Sequence, residues 1–215
     1  MNIKPVARNP LRNSLLPYLL SCLVVLALTW SAPSSAITKE LETWQGDFEE
    51  MLERRQIRVL VVYNKLLYFL DGAVQRGTTV DSFKLFEDFI NEKYDLGARK
   101  LTTVFIPVSR EELIPALLEG RGDIAAANLT ITPERMEQVD FSDPFVQDVK
   151  EVLVTGPAAP EITSLADLAG ESIHARKSSS YYTSLQKLNG QLEENGLDPV
   201  TIIETEEHLE DSDLL

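Results

Sequence analysis

Residues 128–144 run Asn128-Leu-Thr-Ile-Thr-Pro-Glu-Arg-Met-Glu-Gln-Val-Asp-Phe-Ser-Asp-Pro144, and this stretch decides the fold. Just before it, residues 124–127 form a short apolar run (Ile-Ala-Ala-Ala) with the length and continuity of a strand buried on both faces of a parallel sheet. Such a strand ends at 128–130. Thr132 then stands where a helix N-cap is wanted, and Pro133 suits the first helical position, where its missing N–H would have no partner. Glu134 complements the positive helix end. Thr130 and Arg135 are therefore expected near the carboxyl end of a strand, where open α/β sheets bind ligands. An arginine there offers a planar, permanently charged fork suited to a carboxylate. Taken alone, Arg135 also reads as a solvated first-turn side chain.

Upstream, residues 57–63 are β-branched and apolar and predict the first parallel strand, opening into a long loop over 64–77. Thr78-Thr-Val-Asp81 matches a capping box, and Val80, Phe83, Phe86, Ile90 and Tyr94 continue it as an amphipathic helix. A strand is expected over 101–108. Ser109-Arg-Glu-Glu112 is a second capping box, opening a helix that stops at Gly120. Pro115 predicts a kink or a shortened first turn, because proline costs about 3 kcal/mol in a helix interior. With residues 124–127 as the central strand, this alternation implies a parallel sheet with right-handed crossovers.

Downstream, a strand is expected over 149–155, then a compositional break at Gly156-Pro-Ala-Ala-Pro160 where the chain crosses to a second lobe. That lobe reads as a short helix over 162–170, a strand over 171–176, a helix from Ser178-Ser-Ser180 to about 195, and a strand over 200–205. A further helix begins at 206. Three hydroxyls beside free helix N–H groups make either an anion site or a simple N-cap. The last helix meets no stop signal before Leu215, so the second lobe is expected to be truncated.

Residues 1–36 carry Lys4, Arg8 and Arg12, no acidic residue, an apolar run over 15–30 and a small-residue end at Ala36, the pattern of a cleavable secretory signal peptide. The alternative is an uncleaved segment anchoring the chain to the inner membrane. Cys22, the only cysteine, lies inside the apolar run rather than at its end, which disfavours lipidation; cleavage at Ala36 would leave a chain without disulfides. Removing the three basic residues takes the formal charge from −14 to −17, which argues against nucleic acid and anionic lipid as partners. Residues 37–56 place Leu41, Trp44, Phe48 and Leu52 on one helical stripe. Trp44 could instead be a membrane-surface anchor, but Glu40, Glu42, Asp47, Glu49 and Glu50 argue against that.

Leu129-Thr-Ile-Thr-Pro-Glu-Arg135 with Val139-Asp-Phe-Ser-Asp-Pro144 resembles the first-lobe signature of the periplasmic solute-binding proteins of family 3, which serve amino-acid transporters. Tyr68-Phe-Leu-Asp71, Leu118-Glu-Gly-Arg-Gly-Asp-Ile124 and Arg176-Lys-Ser-Ser-Ser-Tyr-Tyr182 are similar to the solute-binding half of lytic transglycosylase F-like proteins. The resemblance runs from about residue 57 to the last. It implies an α/β, two-lobe fold of the type II periplasmic-binding-protein kind: a leader over 1–36, lobe one with an N-terminal helix over 37–156, and the start of lobe two over 157–215. It also implies a carboxylate clamp at Arg135, with Leu129, Thr130, Ser178, Ser179 and Ser180 around the ligand and closure about residues 155–160. Tyr68 and Phe69, with Tyr63, are candidates for an apolar wall, or equally for ordinary core.

Other chemistry is poorly supported. His174 and His208 have neither zinc-site nor triad spacing, and no phosphate-cradling glycine loop follows a strand. No cofactor or metal is expected. Two function classes remain: a non-enzymatic periplasmic module for an amino acid or muropeptide-like ligand, with an ABC transporter permease as its partner, or the regulatory module of a peptidoglycan lytic transglycosylase whose catalytic domain is not in this chain. The fold is also shared by a few dehydratases, but no catalytic pair supports that reading. The acidic residue that would hold a ligand amine is not assignable.

Overall fold

The computed structural model describes residues 43–210, 213 and 214. The leader reading of 1–36 and the first part of the expected N-terminal helix lie outside the described residues. Those described belong to one unit, Leu41–Leu215.

The strand at the centre of the first sheet is β1, Gln56–Val61. It pairs in parallel with β4, Thr102–Pro107, on one side and with β5, Ile124–Ala125, on the other. Apart from Arg58, which is buried against Asp123, its residues from 57 on are apolar because both faces are covered. Ile57, Val59 and Val61 face a cluster with Tyr68, Val80, Ile90 and Leu101, while Leu60 and Val62 face Ile106, Leu113, Ala116 and Ala127. Full burial of each large aliphatic side chain contributes about 1.5–3 kcal/mol. Residues 124–127 are thus not the central strand. Only two of them are strand, at the sheet edge, and they are half-buried because no neighbour covers their outer side among the described residues.

The helix expected from residue 37 is shorter than its apolar stripe suggests. Residues 43–47 are irregular, and α1, Phe48–Arg54, starts where Asp47 and Glu50 form a capping box. The Trp44 ring instead lies under Arg54, 3.9 Å from its guanidinium carbon, and the Trp44 backbone N–H donates to the Gly120 carbonyl at 2.9 Å. The stretch 64–77 is not a plain loop: β2, Phe69–Asp71, and β3, Val74–Arg76, form an antiparallel hairpin.

The helix α2, Thr78–Lys93, lacks the capping box expected at Thr78, because the N-cap is Gly77 at φ 121°. The amides of Thr78 and Thr79 donate to the carbonyls of Leu66 and Leu67, so the preceding loop satisfies the first turn without a side chain. A Cβ at residue 77 would sit 2.2 Å from the Leu67 oxygen, which reserves the position for glycine.

Pro115 acts as expected. A 3₁₀ turn, Arg110–Glu112, precedes α3, Leu113–Leu118, so that Pro115 falls in the first turn of the α-helix. Gly120 at φ 72° ends it in a Schellman arrangement, with Gly120 N–H on the Leu117 carbonyl and Arg121 N–H on the Ala116 carbonyl.

A second, two-stranded parallel sheet pairs β6, Ser172–Arg176, with β7, Thr201–Thr205. The intervening helix, Ser180–Glu194, packs Leu188 and Leu192 against Leu168, Ile173 and Val200. The short helix expected over 162–170 is a 3₁₀ turn, Leu165–Leu168. Two expected elements do not form. Residues 149–155 are exposed and irregular, and they pair with no strand among the described residues. Residues 206–210 make a turn rather than a helix, because side-chain partners elsewhere in the fold override local propensity. No helix among the described residues is long and apolar enough to cross a membrane.

Candidate functional site

Beyond β5 the chain turns at Asn128 (φ 48°), and a four-residue helical turn, α4, Pro133–Met136, follows with Thr132 as its N-cap. The Thr132 hydroxyl accepts from the Arg135 N–H at 3.3 Å. This local chemistry, legible in Thr132-Pro133, folds the Arg135 side chain back over its own turn. Nη1 donates to the Thr130 carbonyl at 2.8 Å, and Nη2 reaches the Ser178 carbonyl at 3.1 Å, ahead of α5, Ser180–Glu194.

The space between these two segments is a cleft of about 310 Å³, lined by Thr130, Ile131, Arg135, Glu151, Ser178 and Ser180 among others. Arg135 is half-buried, and its hydrogen bonds go to neutral carbonyls. Burial lowers the pKa of its guanidinium, the nearby Arg110 charge acts in the same direction, and Glu134 partly offsets both. A cation held this way favours an anionic guest. Glu134 is itself held below the ordinary carboxylate value, first by its own backbone N–H and then by the Thr132 hydroxyl.

The structure therefore brings Thr130, Arg135, Ser178 and Ser180 to one cleft and leaves the other candidates out of its lining. Ser179 is the N-cap of α5: its hydroxyl accepts from the Tyr182 N–H at 3.2 Å and donates to the Arg176 carbonyl at 2.6 Å. Leu129 packs against the cluster around Leu60. Tyr68 is 2% exposed and belongs to the core around Val59, its hydroxyl accepting from Gln75 at 3.2 Å. Phe69 is half-buried in the hairpin. The chemistry at Ser178 also differs from a vacant anion site, because its N–H and hydroxyl both donate to the carboxylate of Glu207.

Residues not anticipated from the sequence include Glu151, Thr183, Ser184 and Lys187 in the cleft. Arg110, Asn64 and Glu210 form a cluster of their own at the strand ends of the first sheet. Arg110 had a usable signal, as an arginine just past a strand, the same logic that singled out Arg135. Among the described residues, no group of three or more His, Cys, Asp or Glu side chains could hold a metal ion. His174 and His208 are exposed, with His208 3.3 Å from Glu206.

Two α/β units with an arginine-lined cleft at parallel-strand ends define a type II periplasmic-binding-protein fold, and solved structures agree. The ancestral amino acid-binding protein AncCDT-1, a precursor of cyclohexadienyl dehydratase, superposes with a TM-score of 0.57 at 24% identity over 73% of this chain and 63% of that one. A putative L-cystine ABC transporter from Listeria monocytogenes gives 0.55 at 19% identity over 73% and 62%. The model of the bacterial extracellular solute-binding proteins, family 3, matches residues 73–198, and the chain belongs to that family.

Curated relatives carry the name membrane-bound lytic murein transglycosylase F. That of Desulfosudis oleivorans is 31% identical over 172 residues, covering 77% of this chain and 35% of its own length. That of Aeromonas hydrophila is 25% identical over 155 residues, covering 72% and 29%. The chain thus spans about a third of the length of the curated relatives it matches.

Proposed function

We propose that this chain is a non-catalytic solute-binding module for a small carboxylate-bearing ligand, an amino acid or a cell-wall peptide, with Arg135 as the anchor. The observation that carries this is the half-buried Arg135 guanidinium, held in a 310 Å³ cleft by two backbone carbonyls and repelled by Arg110. A carboxylate entering the cleft would exchange neutral acceptors for a charge-assisted fork. Thr130 and Ser180 line the same space and suit hydrogen bonds to the ligand, whereas the Ser178 N–H and hydroxyl are already taken by Glu207. Amino-acid binding in the name of the structurally similar AncCDT-1 agrees with this class of ligand. A thermal-shift screen of amino acids and muropeptides tests it, with a saturable rise in melting temperature expected for at least one carboxylate ligand. No shift with any of them would contradict it.

A second reading is favoured by the curated relatives: the module senses a peptidoglycan fragment on behalf of a lytic transglycosylase activity carried elsewhere. Both readings make this chain inactive on murein, and release of soluble muropeptides by it would overturn both. They differ in the partner, an ABC permease for the first and a transglycosylase domain for the second, which co-purification with membranes against binding to murein sacculi separates. Export by a leader cut after Ala36 completes the proposal. Mass spectrometry of the exported protein should show Ile37 as the first residue, and an intact Met1 would contradict cleavage.

A further inference from the structure

After β7 the chain places three carboxylates, each three residues from the next, on separate partners. Glu207 takes the Ser178 amide and hydroxyl, Asp213 takes Lys65 at 2.6 Å, and Glu210 takes Arg110 and Asn64. Glu210 differs from the other two in being 6% exposed. Its oxygens accept from Arg110 Nε at 3.2 Å, from Nη2 at 3.0 and 2.8 Å, and from Asn64 Nδ2 at 2.9 Å. The remaining Arg110 nitrogen, Nη1, donates to the Ala127 carbonyl at 3.1 Å, which fixes the fork.

Asn64 follows β1 and Arg110 follows β4, so two carboxyl ends of one parallel sheet meet on a single carboxylate, and the segment after β5 steadies Arg110 through the Ala127 carbonyl. Such strand ends are where α/β sheets take their ligands, and a bidentate guanidinium with a side-chain amide has the chemistry of a carboxylate receptor. Arg110 Nη1 holds the Ala127 carbonyl and Arg135 Nη1 holds the Thr130 carbonyl three residues further on, so both arginines bind the same short segment after β5.

We propose that Arg110 and Asn64 form a second anion subsite beside Arg135, that Glu210 occupies it, and that Glu210 thereby selects ligands with one anionic group over ligands with two. This deepens the reading of Arg135 as carboxylate anchor and rests on it. The second carboxylate of a dianionic ligand meets Glu210 as a like charge. With Glu210 neutral, the same carboxylate finds an arginine fork.

The test uses the full chain, ¹⁵N-labelled, titrated with glutarate (two carboxylates) and butyrate (one). Glu210→Gln keeps the shape and removes the charge, and by replacing one acceptor oxygen with an NH2 group it also loosens the hold on Arg110 and Asn64. It is expected to bind glutarate about tenfold tighter or more than wild type, with a shift of the Arg110 Nε–H resonance, while butyrate affinity stays within about threefold. A second variant, Glu210→Ala with Arg110→Ala, leaves neither charge unpaired and should lose the glutarate preference. Glutarate affinities equal within about threefold in wild type and Glu210→Gln, or an Arg110 resonance unmoved by glutarate in Glu210→Gln, would overturn the subsite. Arg135→Ala separates the two claims: unchanged butyrate binding there defeats the anchor, whereas the subsite stands or falls on the Glu210 dependence.

Discussion

Arg135 and Ser178, 43 residues apart, are joined by a hydrogen bond of 3.1 Å from the guanidinium Nη2 to the backbone carbonyl, which ties the turn after β5 to the start of α5. The contact links the turn after β5 to the second sheet's helix through a guanidinium whose two hydrogen bonds go to neutral carbonyls.

The first prediction concerns what holds the scaffold under that turn. Asp123, with a side chain 1% exposed, receives Arg58 at 2.6 Å and Arg54 at 2.7 Å, and its Oδ2 also accepts from the Arg58 N–H at 2.7 Å. Asp123→Ala leaves the buried Arg58 guanidinium and the partly exposed Arg54 without this carboxylate and should lower stability by about 3–5 kcal/mol in urea denaturation. A loss below about 1 kcal/mol would mean that the pair is not buried as described.

Glycine substitutions give a matched comparison. Gly97 and Gly120 both have positive φ, at 60° and 72°, but a Cβ at 97 meets nothing within 4 Å while one at 120 comes 2.5 Å from the Trp44 carbonyl oxygen. Gly97→Ala should cost about 1–2 kcal/mol for its left-handed backbone alone. Gly120→Ala should cost clearly more and shift the Trp44 fluorescence. Equal costs would show that Trp44 is not seated against residue 120.

A third prediction is a pH dependence. Glu112 is held below the ordinary carboxylate pKa, chiefly by the Ser109 N–H, then by the Ser109 hydroxyl and by Arg121. Because the folded value is depressed, Glu112 contributes stability above its unfolded pKa, and that contribution is lost as pH falls through the folded value. The Glu112 carboxyl should titrate by NMR below ordinary glutamates, and Ser109→Ala should raise its midpoint. Because alanine keeps the backbone N–H, an unchanged midpoint would remove the Ser109 hydroxyl as a cause.

Much of the scaffold was legible because its signals are local. The apolar run of β1, the stripe of α2 and the Thr132-Pro133 start that aims Arg135 all act within a turn or a strand. What was not legible depends on partners far away in sequence. Gly77 caps α2 because Leu66 and Leu67 carbonyls meet its first amides. Residues 206–210 read as a helix and form a turn because Glu207 and Glu210 find Ser178 and, 100 residues back, Arg110. Tyr68 and Phe69 are alike in sequence, and only the hairpin register decides that Tyr68 enters the core. The strand expected at 149–155 shows the converse: an apolar, β-branched run alone does not make a strand when the fold does not bring it to a sheet edge.

The most direct measurement is calorimetry with whichever carboxylate ligand raises the melting temperature, comparing wild type with Arg135→Ala, Arg135→Lys and a control at exposed Arg99. Truncating one partner of a buried charge-assisted pair costs roughly 2–5 kcal/mol, so Arg135→Ala should weaken binding by about thirtyfold or more. Arg135→Lys keeps the charge but not the fork and should also bind substantially less well, while the control binds as wild type. A folded Arg135→Ala that binds within about threefold of wild type would show that the cleft does not use this arginine to hold its ligand.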